Sequence, residues 1–203
     1  MMTATTIHLD LGCGAAPRNP YRRDQVPGID LGLASRVVNG CRIDPCNLAL
    51  QPIPHPDASF DSVSAFDFLE HVPRVLPCAQ GNGTRLPFVE LMNEVWRVLK
   101  PGGRLCAVTP CYPAPEAFQD PTHVNIITAQ THLYFTGPKP MARMYGFTGQ
   151  IKLCRAEWVV FRDAVLASPG LTLHQRVRRW NYRRKGQLSH LLWEFERAAA
   201  SAP

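Results

Sequence analysis

Ile7-His8-Leu9-Asp10-Leu11 alternates apolar and polar side chains and then runs into Gly12-Cys13-Gly14. Alternation of that kind predicts a strand, and glycines at its end predict a turn with no room for side chains. A second short strand is expected over 25–31, carrying Asp30 near its end. Such a frame suits a nucleotide. The bare turn lets a ligand approach the backbone, and an acid at the tip of the second strand can accept hydrogen bonds from ribose hydroxyls. A dinucleotide fingerprint needs a third glycine where the helix packs on the sheet; Pro17 stands there instead. Gly-x-Gly alone leaves the nucleotide open.

The rest of the chain continues the alternation of strands and helices. Pro17 and Pro20 predict a loop or one or two helical turns over 15–24 rather than a long crossover helix. Residues 41–59 are rich in proline and polar groups, and 60–66 reads as a strand. From 88 to 99 the apolar residues Phe88, Leu91, Met92, Val95, Val98 and Leu99 fall on one helical face. Pro87 suits that helix's first turn, and Lys100-Pro101-Gly102-Gly103 stops it. Residues 104–109 form the next strand, and 151–161 a strand of a closing hairpin. Ser168-Pro169-Gly170 then punctuates the chain, and Leu188, Leu191, Leu192 and Phe195 predict an amphipathic terminal helix. The pattern implies a mostly parallel sheet with helices on both faces.

Composition narrows the alternatives. With 203 residues and 45% hydrophobic content, one well-cored domain and a small appendage are expected. No apolar run reaches the ~18 residues of a membrane span. Residues 1–6 read as neither a basic leader nor a signal stretch, so a cytoplasmic protein is expected. The seven cysteines form no CxxC pair and read as small core residues of a reducing compartment. The net charge of +6 equals the number of cations in one acid-free stretch, Arg176, Arg178, Arg179, Arg183, Arg184 and Lys185. Any anionic partner belongs there.

Four segments, "LDLGCG", "GID", "FDSVSAFDFLEHV" and "MNEVWRVLKPGGRLCAVTP", occur in the order and at the spacing of class I S-adenosylmethionine-dependent methyltransferases. The chain resembles their type 11 branch over roughly residues 7 to 135. The resemblance implies a Rossmann-like α/β fold with a seven-stranded sheet, in a domain over 1–165 followed by a basic, helical C-terminal extension over 166–203. It implies S-adenosyl-L-methionine as cofactor. Gly12 and Gly14 should line its methionine part, Asp10 should help hold the ammonium, and Asp30 should grip the ribose. Relatives place an acid before an "LPFPD" stretch to meet the adenine; here Asp44 and Asn47 precede "QPIPHPDASFD", and Asn47 is the preferred of the two. Asp67 and Phe68 should cross beside the sulfonium, with Phe66 the alternative ring there and Glu70 and His71 fixing loop geometry.

The acceptor pocket is expected under "CYPAPEAFQDPTHVNIIT", residues 111–128, in the position where relatives build theirs. His123 is the preferred base, with Asp120 orienting it; Tyr112, Asn125 and His71 are expected to contact the acceptor. No HExxH or HxE…CxxC motif occurs, and no metal is expected. No Asn-Pro-Pro-Tyr type tetrad follows the fourth strand either, which argues against methylation of exocyclic base or glutamine nitrogens.

Trp180 and Tyr182 lie among the six cations of 174–187. That segment could hold nucleic acid, lie on an anionic membrane surface, or form a solvated helix docked through Leu173, Val177 and Trp180. The first expectation is therefore methyl transfer to an oxygen or nitrogen of a small molecule or glycan intermediate. The alternatives are an RNA or protein methyltransferase that docks its substrate on the basic tail, or a non-catalytic cofactor-binding scaffold.

Overall fold

The computed structural model describes residues 5–32, 34–79, 81–165 and 170–198. Its elements run β1 (His8–Leu11), β2 (Gly28–Asp30), β3 (Arg36–Val38), β4 (Cys41–Pro45), β5 (Phe60–Phe66), β6 (Leu76–Pro77), β7 (Thr84–Arg85), α1 (Pro87–Val98), β8 (Leu99–Pro110), β9 (Ile151–Val159), α2 (Leu173–Arg184) and β10 (His190–Arg197). The main sheet has eight strands in the order β3-β4-β2-β1-β5-β8-β10-β9; β6 and β7 make a separate hairpin. Strands β4, β2, β1, β5 and β8 are parallel. β3 pairs antiparallel with β4, and β10 lies antiparallel between β8 and β9.

This is the expected Rossmann-like arrangement with one strand more than seven. The addition is β3, folded back on β4 through Asn39 and Gly40, both at positive φ (50° and 78°). Two left-handed residues in succession give the tight turn whose twist matches a hairpin. The proline-bearing segment between β1 and β2 contains no helix, as its sequence predicts.

The larger core lies on the α1 side of the sheet. Phe88, Leu91, Met92, Val95 and Val98, the expected helix stripe, are buried there with Leu9, Leu11, Val63, Leu105, Trp193 and Phe195. Each such side chain contributes roughly 1.5–3 kcal/mol relative to exposure. α1 ends because Leu99 is already extended, and the chain turns through Gly102 and Gly103 within β8. A Cβ on Gly103 would lie 2.8 Å from the Lys100 carbonyl oxygen, so only glycine closes this turn. The other face is thinner: Phe66, Cys106, Val108, Val159, Ala164 and Leu192 cluster there, with Tyr21 and Phe161 packed on them.

The C-terminal segment departs from expectation. Leu191, Leu192 and Phe195 belong to β10 rather than to an amphipathic helix, and Leu188 precedes that strand. A strand buried on both faces carries an unbroken apolar run, and so short a run fits helical spacing equally well. Leu191, Leu192, Trp193 and Phe195 are all at most 2% exposed. Residues 171–198 are therefore no helical appendage; α2 is an excursion between two strands of the sheet. Ser168 and Pro169 of the expected punctuation lie outside the described residues. α2 starts at a capping box made by Thr172 and Gln175. Leu173, Val177 and Trp180 do not dock it: they are 78%, 48% and 55% exposed. Arg178 instead pairs with Asp163, and Arg179 reaches Glu157 (2.7 Å) and the Trp158 carbonyl (2.6 Å).

Candidate active site

The parallel strands end together, with Asp10 of β1 opposite Gly28 of β2 on one side and Ser64 of β5 on the other. In open α/β sheets ligands bind outside these carboxyl ends. Gly12 takes φ +60°, and a Cβ there would fall 2.4 Å from Cδ2 of Phe68. The aromatic ring after β5 thus lies directly against the glycine turn after β1. Asp67, just before it, also has a left-handed backbone (φ 47°), costly for a residue with a Cβ. Its amide nonetheless donates to the Val108 carbonyl, and its carboxylate lies 3.2 Å from His190 Nε2.

The expected ribose contact, Asp30, accepts hydrogen bonds from the amides of Gly14 and Leu31. Gly14 also has φ +60°, and its carbonyl accepts from Arg36 Nη2 at 2.7 Å. Arg36, unremarked in the sequence, therefore ties β3 to the glycine turn. Asp10 is fully buried: Ser64 Oγ donates to one oxygen and the Arg18 amide to the other (2.7 Å). Burial raises its pKa to about 6. His8, two residues earlier on the same face, lies between Ser62 Oγ (2.8 Å) and Ser64 Oγ (2.7 Å). Burial lowers its pKa to about 4, so it is neutral at pH 7. With Ser64 donating to Asp10, its oxygen accepts from His8 Nε2–H, which leaves Nδ1 to accept from Ser62.

For the adenine side, Asn47 Oδ1 accepts from the Ala49 amide (3.1 Å), and its carbonyl accepts from Leu50 and Gln51. It caps a turn. Asp44 is held by Ser35 (2.6 Å) and Arg42 (2.9 Å), which keep its pKa below the usual carboxylate range.

The acceptor-side residues gather around a short turn. Leu69–His71 is a single 3-10 turn following Phe68. The Glu70 carbonyl accepts from the amides of Val124 and Asn125 (both 2.9 Å), stitching the 111–128 loop to it. Asn125 is 4% exposed; its carbonyl oxygen accepts from Arg74 Nε (2.7 Å) and its amide points at Leu69 O (3.4 Å). It works as a clamp between the two segments. His71 Nδ1 faces the Thr122 carbonyl (3.2 Å) and hydroxyl (3.0 Å), and its ring meets that of His123 edge-on at 4.8 Å. His123 Nε2 lies 4.0 Å from both Asp120 Oδ2 and Glu70 Oε1. Asp120 also accepts from the Thr122 amide (2.8 Å) and hydroxyl (2.6 Å), which lower its pKa. Tyr112 is 54% exposed with its ring 6.2 Å from Phe118, apart from this cluster.

Glu70 is the residue that sequence reading underrated. It is 1% exposed, and among the described residues neither carboxylate oxygen has a hydrogen-bond partner. The neighbouring hydroxyl of Thr109 gives its proton to the Pro110 carbonyl instead. Burial pushes the Glu70 pKa up to about 8. Beside the cluster, Arg74, Phe88, Asn125, Tyr134, Phe135 and Tyr145 line part of a cavity of about 540 Å³.

Comparison with known proteins bears on the fold and the domain type. Residues 9–107 match a family model described as a methyltransferase domain. No curated protein matches the chain in sequence. Among solved structures, an S-adenosylmethionine-dependent methyltransferase from Mesorhizobium loti is similar (TM-score 0.56, 17% identity, 95% of this chain and 91% of that one). So is a putative methyltransferase from Haloferax volcanii, in complex with the Trm112 methyltransferase activator (TM-score 0.57, 12% identity, 96% and 84%). Geranyl diphosphate C-methyltransferase from Streptomyces coelicolor, in complex with Mg2+, geranyl diphosphate and S-adenosyl-L-homocysteine, is a third (TM-score 0.52, 16% identity, 95% and 73%). At these identities the structures speak for the fold, and the family match speaks for the chemistry. Residues 9–107 carry a methyltransferase domain, in a chain folded like S-adenosylmethionine-dependent methyltransferases.

Proposed function

We propose that the chain transfers the methyl group of S-adenosylmethionine to an oxygen or nitrogen of a small molecule or a glycan intermediate seated under the 111–128 loop. One observation carries this reading: a cluster of ionisable side chains, Glu70, His71, Asp120 and His123, begins two residues beyond the ring packed on Gly12.

The bound cofactor supplies the sulfonium methyl carbon and its leaving group. The chain's task is alignment and exclusion of water. In this reading Gly12 and Gly14 leave room for the methionine end, Asp10 stands near it, Asp30 holds the ribose, and Asn47 meets the adenine. Asp67 and Phe68 separate the cofactor from the acceptor. The 111–128 loop would aim an acceptor lone pair at the methyl carbon that the bound cofactor would supply. A hydroxyl acceptor must also lose its proton, which passes to His123 Nε2 with Asp120 beside it to stabilise the resulting cation. His71 and Tyr112 bound the acceptor, and Asn125 fixes the loop over it.

The alternative of a macromolecular acceptor on the basic helix is weakened by two of the six cations. Arg178 and Arg179 are engaged with Asp163 and Glu157 inside the fold. Arg184 covers Trp180 at 4.7 Å, which fills an aromatic face that a base would need. Among the described residues no helix is long and apolar enough to cross a membrane.

The test is transfer of labelled methyl from S-adenosylmethionine into fractionated extract. Label in a small-metabolite or lipid-sugar fraction, insensitive to moderate salt, supports the reading. Label in RNA or protein that falls steeply with salt, and with Arg183→Ala and Arg184→Ala, overturns it. With the acceptor in hand, His123→Gln should slow turnover by ~100-fold or more while sparing cofactor affinity.

A further inference from the structure

We propose that Glu70, His71 and His123 form a binding site for one divalent transition ion of the zinc type. The three offer one ligand atom each, and these atoms all lie within 4.8 Å of one another. Two imidazoles and one carboxylate suit zinc, iron, cobalt or nickel far better than magnesium or calcium, which prefer all-oxygen shells.

Three features distinguish this cluster from a chance meeting of polar side chains. First, Glu70 is 1% exposed and among the described residues neither carboxylate oxygen has a hydrogen-bond partner. Buried polar groups are nearly always paired, because an unpaired one costs about 1–3 kcal/mol. A cation bound to one of these oxygens would supply the missing partner. Secondly, His123 turns its Nε2 toward that carboxylate, 4.0 Å from Glu70 Oε1. Thirdly, His71 Nδ1 faces the Thr122 carbonyl at 3.2 Å. A proton on Nδ1 directed at that carbonyl leaves the lone pair on Nε2, the outer-shell arrangement that orients metal-binding histidines. The backbone is held to match: Glu70 and His71 share one 3-10 turn, and the amides of Val124 and Asn125 bind the Glu70 carbonyl. The loop bearing His123 is thereby fixed against the turn bearing the other two ligands.

Three protein ligands leave a coordination position open. Its position beside Asp120 and the proposed acceptor loop suits an oxygen of the acceptor, so this role rests on the reading of that loop, whereas ion binding itself does not. In the loaded protein His123 would be a ligand, the ion would polarise the acceptor oxygen, and the acceptor proton would pass to the Asp120 carboxylate. In the metal-free protein its imidazole carries the proton.

The experiment titrates cobalt(II) into the metal-stripped full chain, follows its visible absorption, and runs zinc competition in parallel. S-adenosylhomocysteine calorimetry on the same samples reports an intact cofactor site independently. One cobalt per chain, displaced by zinc, is expected. Glu70→Gln and His123→Gln should each weaken it by more than ~10-fold with cofactor affinity kept, and His55→Gln, outside the cluster, should leave it unchanged. Cofactor binding without cobalt uptake overturns the metal site and leaves the transferase reading standing. Cobalt uptake unaffected by both substitutions, or a thiolate charge-transfer band from the cysteines, overturns it as well. Cobalt uptake lost with Glu70→Gln, in a protein that ignores the cofactor, sustains the metal site and removes the transferase reading.

Discussion

Gly12 and Phe68 are in mutual contact across the carboxyl ends of β1 and β5, so closely that a Cβ at position 12 would lie 2.4 Å from the ring. The glycine therefore serves two needs, a left-handed backbone and the seat of an aromatic side chain. Gly12→Ala should destabilise the fold by about 1–3 kcal/mol and weaken cofactor binding. Adding Phe68→Ala should recover part of the stability, because the collision is removed while the backbone strain stays. Urea denaturation of the two single variants and the double variant measures this coupling; strictly additive effects would contradict the contact.

His8 and Asp10 share the hydroxyl of Ser64, and their titrations oppose one another. Between pH 6.5 and about 4 the unfolded chain protonates His8 and the folded chain does not, so this residue makes stability fall with falling pH. Between about pH 6 and 3.8 the folded chain protonates Asp10 and the unfolded chain does not, so stability rises with falling pH. Each effect amounts to about 3 kcal/mol at most, and the two nearly cancel where they overlap. Asp10→Asn removes one side of the balance. The stability of wild type over Asp10→Asn should therefore grow as pH falls from 6 to 4, in parallel urea titrations. A difference independent of pH would show that Asp10 is not a buried, proton-binding group.

Trp193 and Trp180 separate the observed C-terminal architecture from the expected helical tail. Trp193 sits in β10 at 0% exposure, whereas Trp180 on α2 is 55% exposed. Trp193→Ala should cost about 3–5 kcal/mol; Trp180→Ala should stay within about 0.5 kcal/mol. Truncation at residue 170 should give an insoluble or unfolded chain, since it exposes the flanks of β8 and β9. A soluble, cooperatively folding 1–170 fragment would contradict the place of β10 in the sheet.

Much of this was legible because local chemistry and global fold agree. The glycine turn after β1, the prolines that exclude a helix from 15–24, and the stripe closed by Lys-Pro-Gly-Gly each follow from the sequence. β10 was not, because Leu191, Leu192 and Phe195 fit a helical face and only pairing with both β8 and β9 makes the segment a strand. β3 has only three residues, with Val37 largely exposed, too little pattern to read. Glu70 was legible as an acid in an apolar run but not as an orphan, since its surroundings depend on residues 39 to 53 positions away. Asn125 and Asn47, expected at ligands, also hold a clamp and a turn in the fold.

Asp30 bears most directly on what the sheet edge is built to bind. Its carboxylate is held by the amides of Gly14 and Leu31 at the tip of β2, where the proposed reading seats the ribose. Isothermal titration of S-adenosylmethionine and S-adenosylhomocysteine into the wild-type chain should give one site per chain, and Asp30→Ala should weaken both ligands by ~10-fold or more with the fold retained. A folded wild-type chain that releases no heat with either ligand but binds a nicotinamide dinucleotide would contradict that assignment.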